Sequence, residues 1–481
     1  MSYDSRQTLR TVTIGAFWRL LRYPFFFLSL VIIPRYMGKS LYGQFAYFTS
    51  VLTVCEAFTG LGNMQIFGRF IPEMGRDPAR EARLLHGIMY WSNLLVVAFA
   101  GAVSAFMLVV RPEGFPLRWL PILICIMVAG KIQGTTFAFL YGRNEIARFS
   151  ARELVRSALT FLLIVGLYAW TGSLDAALWA LALSQIALML LSFWWGRAAL
   201  FRPWGPLPFR EFLPYFLFGA TFYIPTVLLF FLQRSAPLFI RGLTGRYEDV
   251  APYDLANQFL MTTGMFLGLI FTTLVPALSK LHASDRGAEV LAWNRVALAW
   301  CGTAAFLVYA GLVYLGRPAI RLLLGAAFAD TYGVAVVTGL AFSPMLVSQM
   351  GMNFAVVRKK PSIYAASTVF GILAMVAASF LLIPTWKAVG AAWATVAGHL
   401  AVALVYAFAF RGAFLSMLRD FLAVTGLGLL LTLPAIGLDW SLPLMIAAGA
   451  AAMLAYLAAL TALRILKPAD VKSVIRSLRK N

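Results

Sequence analysis

Fourteen apolar windows of about twenty residues follow one another along the chain, and they constrain its fold more than any other feature. They run over 12–34, 42–68, 86–110, 117–141, 152–171, 175–196, 213–240, 252–279, 291–316, 331–357, 363–384, 388–410, 420–438 and 441–463. A hydrocarbon core about 30 Å thick is crossed by roughly this length of α-helix. The composition agrees: 61% of residues are hydrophobic, 12% are charged, and the mean hydropathy is +0.81, too apolar for a soluble domain. The predicted fold class is an all-α polytopic membrane protein with about 14 transmembrane helices. The apolar run behind the N-terminal MSYDSRQTLR is too long for the core of a signal peptide and reads as a retained first helix.

A net charge of +21 does not point to nucleic acid, because the basic residues sit in short loops between windows instead of on one solvated face. With the N-terminus inside, 27 of the 40 Lys and Arg fall on inside segments, 9 on outside loops, and four (Arg19, Arg22, Lys131, Arg234) within spans. Arg152 and Arg156 are counted with the inside loop before the fifth span. That bias places both termini in the cytoplasm. Cys55, Cys125 and Cys301 lie in apolar runs with no paired spacing, which excludes a disulfide framework and a metal site. No phosphate-binding glycine loop, clustered metal ligands or nucleophile elbow occurs, so no chemical step is expected.

The chain repeats itself. Phe139-Leu-Tyr-Gly-Arg143 resembles Phe354-Ala-Val-Val-Arg358, Ala176-Ala-Leu-Trp179-Ala resembles Gly390-Ala-Ala-Trp393-Ala, and Ile71-Pro72 matches Val275-Pro276. The offsets of 215, 214 and 204 residues fit two copies of one six-helix unit, and an even helix number makes the repeats parallel. This predicts lobes at 1–205 and 206–412 around a central cavity, followed by two further helices and a basic cytoplasmic tail over 413–481. Gly426, Gly428 and the small residues 447–452 would let the last helices pack closely.

Charges inside the membrane are costly and mark candidate sites. Glu56 is the one acid well inside a window, against the cations Arg19, Arg22, Lys131 and Arg234. Glu56 with Lys131 or an arginine could form a structural bridge, and Arg19 could snorkel to the inner interface. The remaining cations need water, backbone carbonyls or an anionic ligand. Pro24 beside Arg22 reads as a kink next to a cavity. Paired arginines suit a diphosphate or an acidic sugar, because the guanidinium fork makes bidentate contacts. Gln133, Asn257 and Gln258 are candidate sugar contacts or helix-tying amides. Glu56 and His399 are the candidates for ion coupling, with packing as the alternative for His399. Trp18, Trp119 and Trp293 read as interfacial anchors.

The segments Pro34-Arg-Tyr-Met-Gly38-Lys-Ser-Leu-Tyr-Gly43-Gln-Phe-Ala46, Arg69-Phe-Ile-Pro-Glu73, Arg358-Lys-Lys and Ile383-Pro384…Gly390-Ala-Ala-Trp-Ala-Thr395 resemble Wzx-type polysaccharide flippases. These belong to the multidrug/oligosaccharidyl-lipid/polysaccharide (MOP) exporter superfamily. The resemblance covers nearly the whole chain and rests mostly on structural turns. It implies two six-helix lobes in a V shape, alternating access and a cationic central cavity. It also implies flipping of undecaprenyl-diphosphate-linked oligosaccharide at the bacterial inner membrane, for O-antigen, capsule or exopolysaccharide. The implied partners are that lipid-linked oligosaccharide, membrane lipids, a polysaccharide polymerase and a chain-length regulator. No cofactor is implied; an ion gradient or the membrane potential would supply the drive, and the two C-terminal helices would guide the lipid tail. The rivals are a drug exporter of the same superfamily, for which buried carboxylates would be expected, and a glycan polymerase or ligase. The latter would carry a large outside loop, whereas the longest here is about ten residues.

Overall fold

The computed structural model describes residues 17–18, 21–75, 77–112, 114–203, 205, 207–284, 286–358, 360–437 and 440–465. Among these residues there is no strand, and fifteen α-helices carry the chain. Two compact units divide it, Met1–Ser235 and Ala236–Asn481. The first holds α1 (Tyr23–Thr59), α2 (Asn63–Glu73), α3 (Pro78–Val110), α4 (Leu120–Gly142), α5 (Ile146–Thr171), α6 (Leu174–Leu200) and α7 (Phe209–Arg234). The second holds α8 (Ala236–Thr244), α9 (Val250–Ala283), α10 (Gly287–Leu323), α11 (Thr331–Gly339), α12 (Phe342–Val357), α13 (Pro361–Ala409), α14 (Arg411–Thr432) and α15 (Leu442–Ala462).

Among the described residues every expected window falls mainly on helix, with breaks at 60–62, Ser235 and 340–341. Nine helices are long and apolar enough to cross a membrane, or eleven if two bent pairs each count as one span, among the described residues. Thirteen of the fourteen windows are accounted for, because Tyr23–Glu73 and Ser362–Ala409 hold two windows apiece, and the remaining one, 252–279, falls on α9, which is outside those eleven. α1 would extend about 55 Å at 1.5 Å per residue, but Gly38 at φ 72°, ψ 170° breaks its helical run. Only glycine occupies that backbone region without strain. α13 breaks at Lys387. A Cβ at Gly390 would fall 2.3 Å from the Leu382 carbonyl oxygen, so the chain folds back on itself there.

Pro24 stands in the first turn of α1, and Arg22 immediately precedes that helix. Trp119 and Trp293 are buried, and the Trp119 indole donates to Asp175 at 3.0 Å. The three cysteines stand free.

The helix α7, which the repeat reading sets at the head of the second lobe, packs on α1, α2 and α3 of the first unit. Its hold is aromatic and aliphatic: Phe212 joins Ile66, Phe67, Leu84, Leu85, Ile88, Phe137 and Phe139 in one buried cluster drawn from α2, α3, α4 and α7. Burying each such side chain contributes about 1.5–3 kcal/mol relative to exposure in water, and in a membrane the same contacts act through packing. This cluster fixes α2 beside α4 and α7, which is what shapes the site.

Candidate functional site

The site is built on a helix that stops and restarts. α1 ends at Thr59, Leu61 and Gly62 take left-handed conformations at φ 55° and 70°, and α2 begins at Asn63. A break leaves the last carbonyls of α1 without helical partners and gives that end partial negative charge. Lys131 of α4 answers it: its buried ammonium donates to the Thr59 carbonyl at 2.7 Å and to the Gly60 carbonyl at 3.0 Å. Asn63, buried at the restart, donates to Thr135 at 2.7 Å, and Thr135 in turn donates to the Lys131 carbonyl at 3.0 Å. α7 closes the other side, since Gly219 lies against Gly62 and Tyr223 against Gly60.

Around this break lies a cavity of about 380 Å³ within the first unit. Glu56, Thr59 and Asn63 line it from α1 and α2, Lys131 and Gln133 from α4, Arg152 and Arg156 from α5, Gln185 from α6, and Tyr223 and Thr226 from α7. Gly130 leaves room for the Glu56 carboxylate, whose Oε1 would be 3.2 Å from a Cβ there. Gln133 donates to Gln185 at 3.0 Å. The Oε1 of Gln133, the Oδ1 of Asn63 and the Nε of Arg152 have no hydrogen-bond partner among the described residues.

Behind the arginines sits Glu153, about two turns into α5. Its Oε2 accepts from Arg156 at 2.9 Å and from Arg22 at 3.0 Å, and its Oε1 lies 3.9 Å from the Nε of Arg152. Arg152 also stacks over the Phe137 ring, 5.0 Å from its centroid. Arg22, Lys131, Arg152 and Arg156 thus face Glu56 and Glu153, a formal surplus of two positive charges. Such an array stabilises an anion and repels a cation.

Of the residues singled out in the sequence, Glu56, Lys131 and Gln133 come together in the cavity, and Arg22 joins them through Glu153. Lys131 bonds carbonyls, and no ion pair joins it to Glu56 among the described residues. Arg19 lies outside the described residues. Arg234 is half-buried in the last turn of α7 and does not line the cavity. The amides of α9 and the histidine of α13 belong to the second unit. There Gln258 donates to Asp254 at 2.6 Å, Asn257 is buried, and His399 is buried with no partner to its Nε2 among the described residues. Sequence reasoning does not single out Arg152, Arg156 and Glu153, which stand at the edge of the fifth window. The spacing Arg152-Glu153-x-x-Arg156 carried the signal, since i, i+3 and i, i+4 positions share a helix face.

A family model described as "Polysaccharide biosynthesis protein" matches residues 9–282. No curated protein matches the chain. Solved structures of similar fold include the lipid II flippase MurJ in an inward closed conformation, with TM-score 0.71 and 15% identity over 95% of this chain and 100% of that one. An inward-facing multidrug resistance MATE family transporter of the MOP superfamily matches with TM-score 0.61 and 14% identity over 83% and 98%. A MOP superfamily transporter from Pyrococcus furiosus, described with a binding pocket of reverse polarity, matches with TM-score 0.55 and 15% identity over 85% and 95%. At these identities the structural likenesses establish the fold, and the family model establishes the kinship: the chain is a multi-pass membrane protein of the polysaccharide biosynthesis protein family, folded as MurJ and the MATE transporters are.

Proposed function

We propose that the protein is a flippase that moves an undecaprenyl-diphosphate-linked oligosaccharide from the cytoplasmic to the periplasmic leaflet of a bacterial inner membrane by alternating access. Its product would serve O-antigen, capsule or exopolysaccharide synthesis. The observation that carries this reading is the cationic surplus around the cavity of the first unit. Arg22, Arg152 and Arg156 offer guanidinium forks to a diphosphate or an acidic sugar. Asn63, Gln133 and Gln185 supply amides of the kind that bind hydroxyls, and two of these keep an unpaired oxygen. Arg234 and Arg19 would add to the positive field along the path. Both termini would lie in the cytoplasm, as the loop charges require. Family membership supports the polysaccharide pathway. The rival reading, export of cationic drugs, is disfavoured because a positive cavity opposes a cationic cargo.

Single Arg156→Ala and Arg22→Ala variants in cells lacking their own copy test it. A lost charge-assisted contact costs about 1.5–3 kcal/mol, or roughly tenfold to a hundredfold in affinity. Surface polymer should fall by at least about tenfold while lipid-linked glycan accumulates in the inner leaflet, at normal expression of the variants. If deletion of the whole protein leaves surface glycan intact and changes resistance to cationic compounds, the flippase reading is wrong.

A further inference from the structure

The oxygen atoms at the helix break have the chemistry of a cation site. The Thr59 and Gly60 carbonyls end α1, the Glu56 carboxylate lines the same cavity, and the Asn63 and Gln133 side-chain oxygens there have no hydrogen-bond partner among the described residues. Both amide residues are more than nine-tenths buried. In discontinuous membrane helices, unwound carbonyls and the C-terminal ends of half-helices hold sodium ions. Here the charge comes from the chain: the ammonium of Lys131 bonds both carbonyls, at 2.7 and 3.0 Å.

We propose that Lys131 is a tethered cation filling a sodium-like site at the break between α1 and α2, so that removing its charge opens that site to a sodium ion. An ammonium that is covalently part of α4 cannot exchange with solvent. The two carbonyls are therefore permanently occupied, the broken helix is held together without a dissolved ion, and this position takes no part in sodium coupling. The inference stands apart from the transport reading, because it concerns how the break is neutralised and is read out by stability alone. The competing explanation is that Lys131 is a hydrogen-bonding staple whose place no ion can take.

The test is thermal unfolding of the purified full chain in detergent, in sodium chloride and in choline chloride at equal ionic strength. Lys131→Met, which keeps the apolar stem, should unfold several degrees below wild type in choline and recover most of that loss in a saturable way as sodium is added. Wild type and Lys131→Arg should respond to sodium less than Lys131→Met does. Equal responses in all three proteins, or a Lys131→Met loss that sodium does not restore, overturn the proposal. Should Lys131→Met fail to fold, Lys131→Gln retains N–H donors without the charge and is judged by the same two outcomes.

Discussion

Replacing Glu153 by alanine should destabilise the protein by about 3 kcal/mol, the lower end of the cost of removing one partner from a buried ion pair. The lower end applies because the Glu153 and Arg22 side chains keep 19% and 18% of their surface exposed. The mechanism is not the loss of one bond. A single carboxylate accepts from Arg156 and from Arg22 and lies 3.9 Å from the Arg152 guanidinium, so its removal leaves three cations facing one another, one just before α1 and two on α5. Glu153→Gln keeps the shape but not the charge and should cost less. Chemical unfolding of the detergent-purified chain measures both variants. A loss under about 1 kcal/mol for Glu153→Ala, the range of exposed pairs, would mean that water rather than the carboxylate neutralises the arginines.

The second large effect belongs to Gly62. Its φ of 70° is left-handed, and a Cβ would sit 2.4 Å from the Gly219 carbonyl oxygen and 2.6 Å from its carbonyl carbon. Those atoms are backbone of α7 and cannot rotate away, so Gly62→Ala must push α7 from the break. Overpacking costs about 1–3 kcal/mol, and alanine at positive φ adds further strain, for an expected total of about 3 kcal/mol or more. Gly166→Ala in α5 is the control, since nothing lies within 4 Å of a Cβ there. It should be neutral or slightly stabilising by helix propensity. Equal behaviour of the two variants would show that the approach of α7 to the break is loose.

These two residues mark where reading the sequence stops. The windows were legible because hydrophobic length depends on no contact, and their described residues are mainly helical. The break at Gly60-Leu61-Gly62 was not, because the window 42–68 stays apolar through it and a Gly-x-Gly inside a span has no unique meaning. What creates the break is tertiary: Lys131 on its carbonyls and α7 against its glycines. Lys131 and Glu56 stood out as charges at membrane depth. Arg152 and Arg156 did not, since they stand at the edge of an apolar window and only the helix running back to Ile146 brings them to the cavity. Arg234 stood out for the same reason as Lys131, yet it stands in the last turn of α7, outside the lining.

The most direct measurement is transfer of a fluorescent polyprenyl-diphosphate oligosaccharide between leaflets of proteoliposomes, followed by its accessibility to a membrane-impermeant quencher. Wild type should move it well above the rate of protein-free vesicles. Arg156→Ala should slow it by about tenfold or more, the equivalent of one lost charge-assisted contact, and an uncharged polyprenyl glycan should not compete. Transfer no faster than in empty vesicles, or equal transfer of the uncharged lipid, would contradict a cationic cavity built to carry a diphosphate.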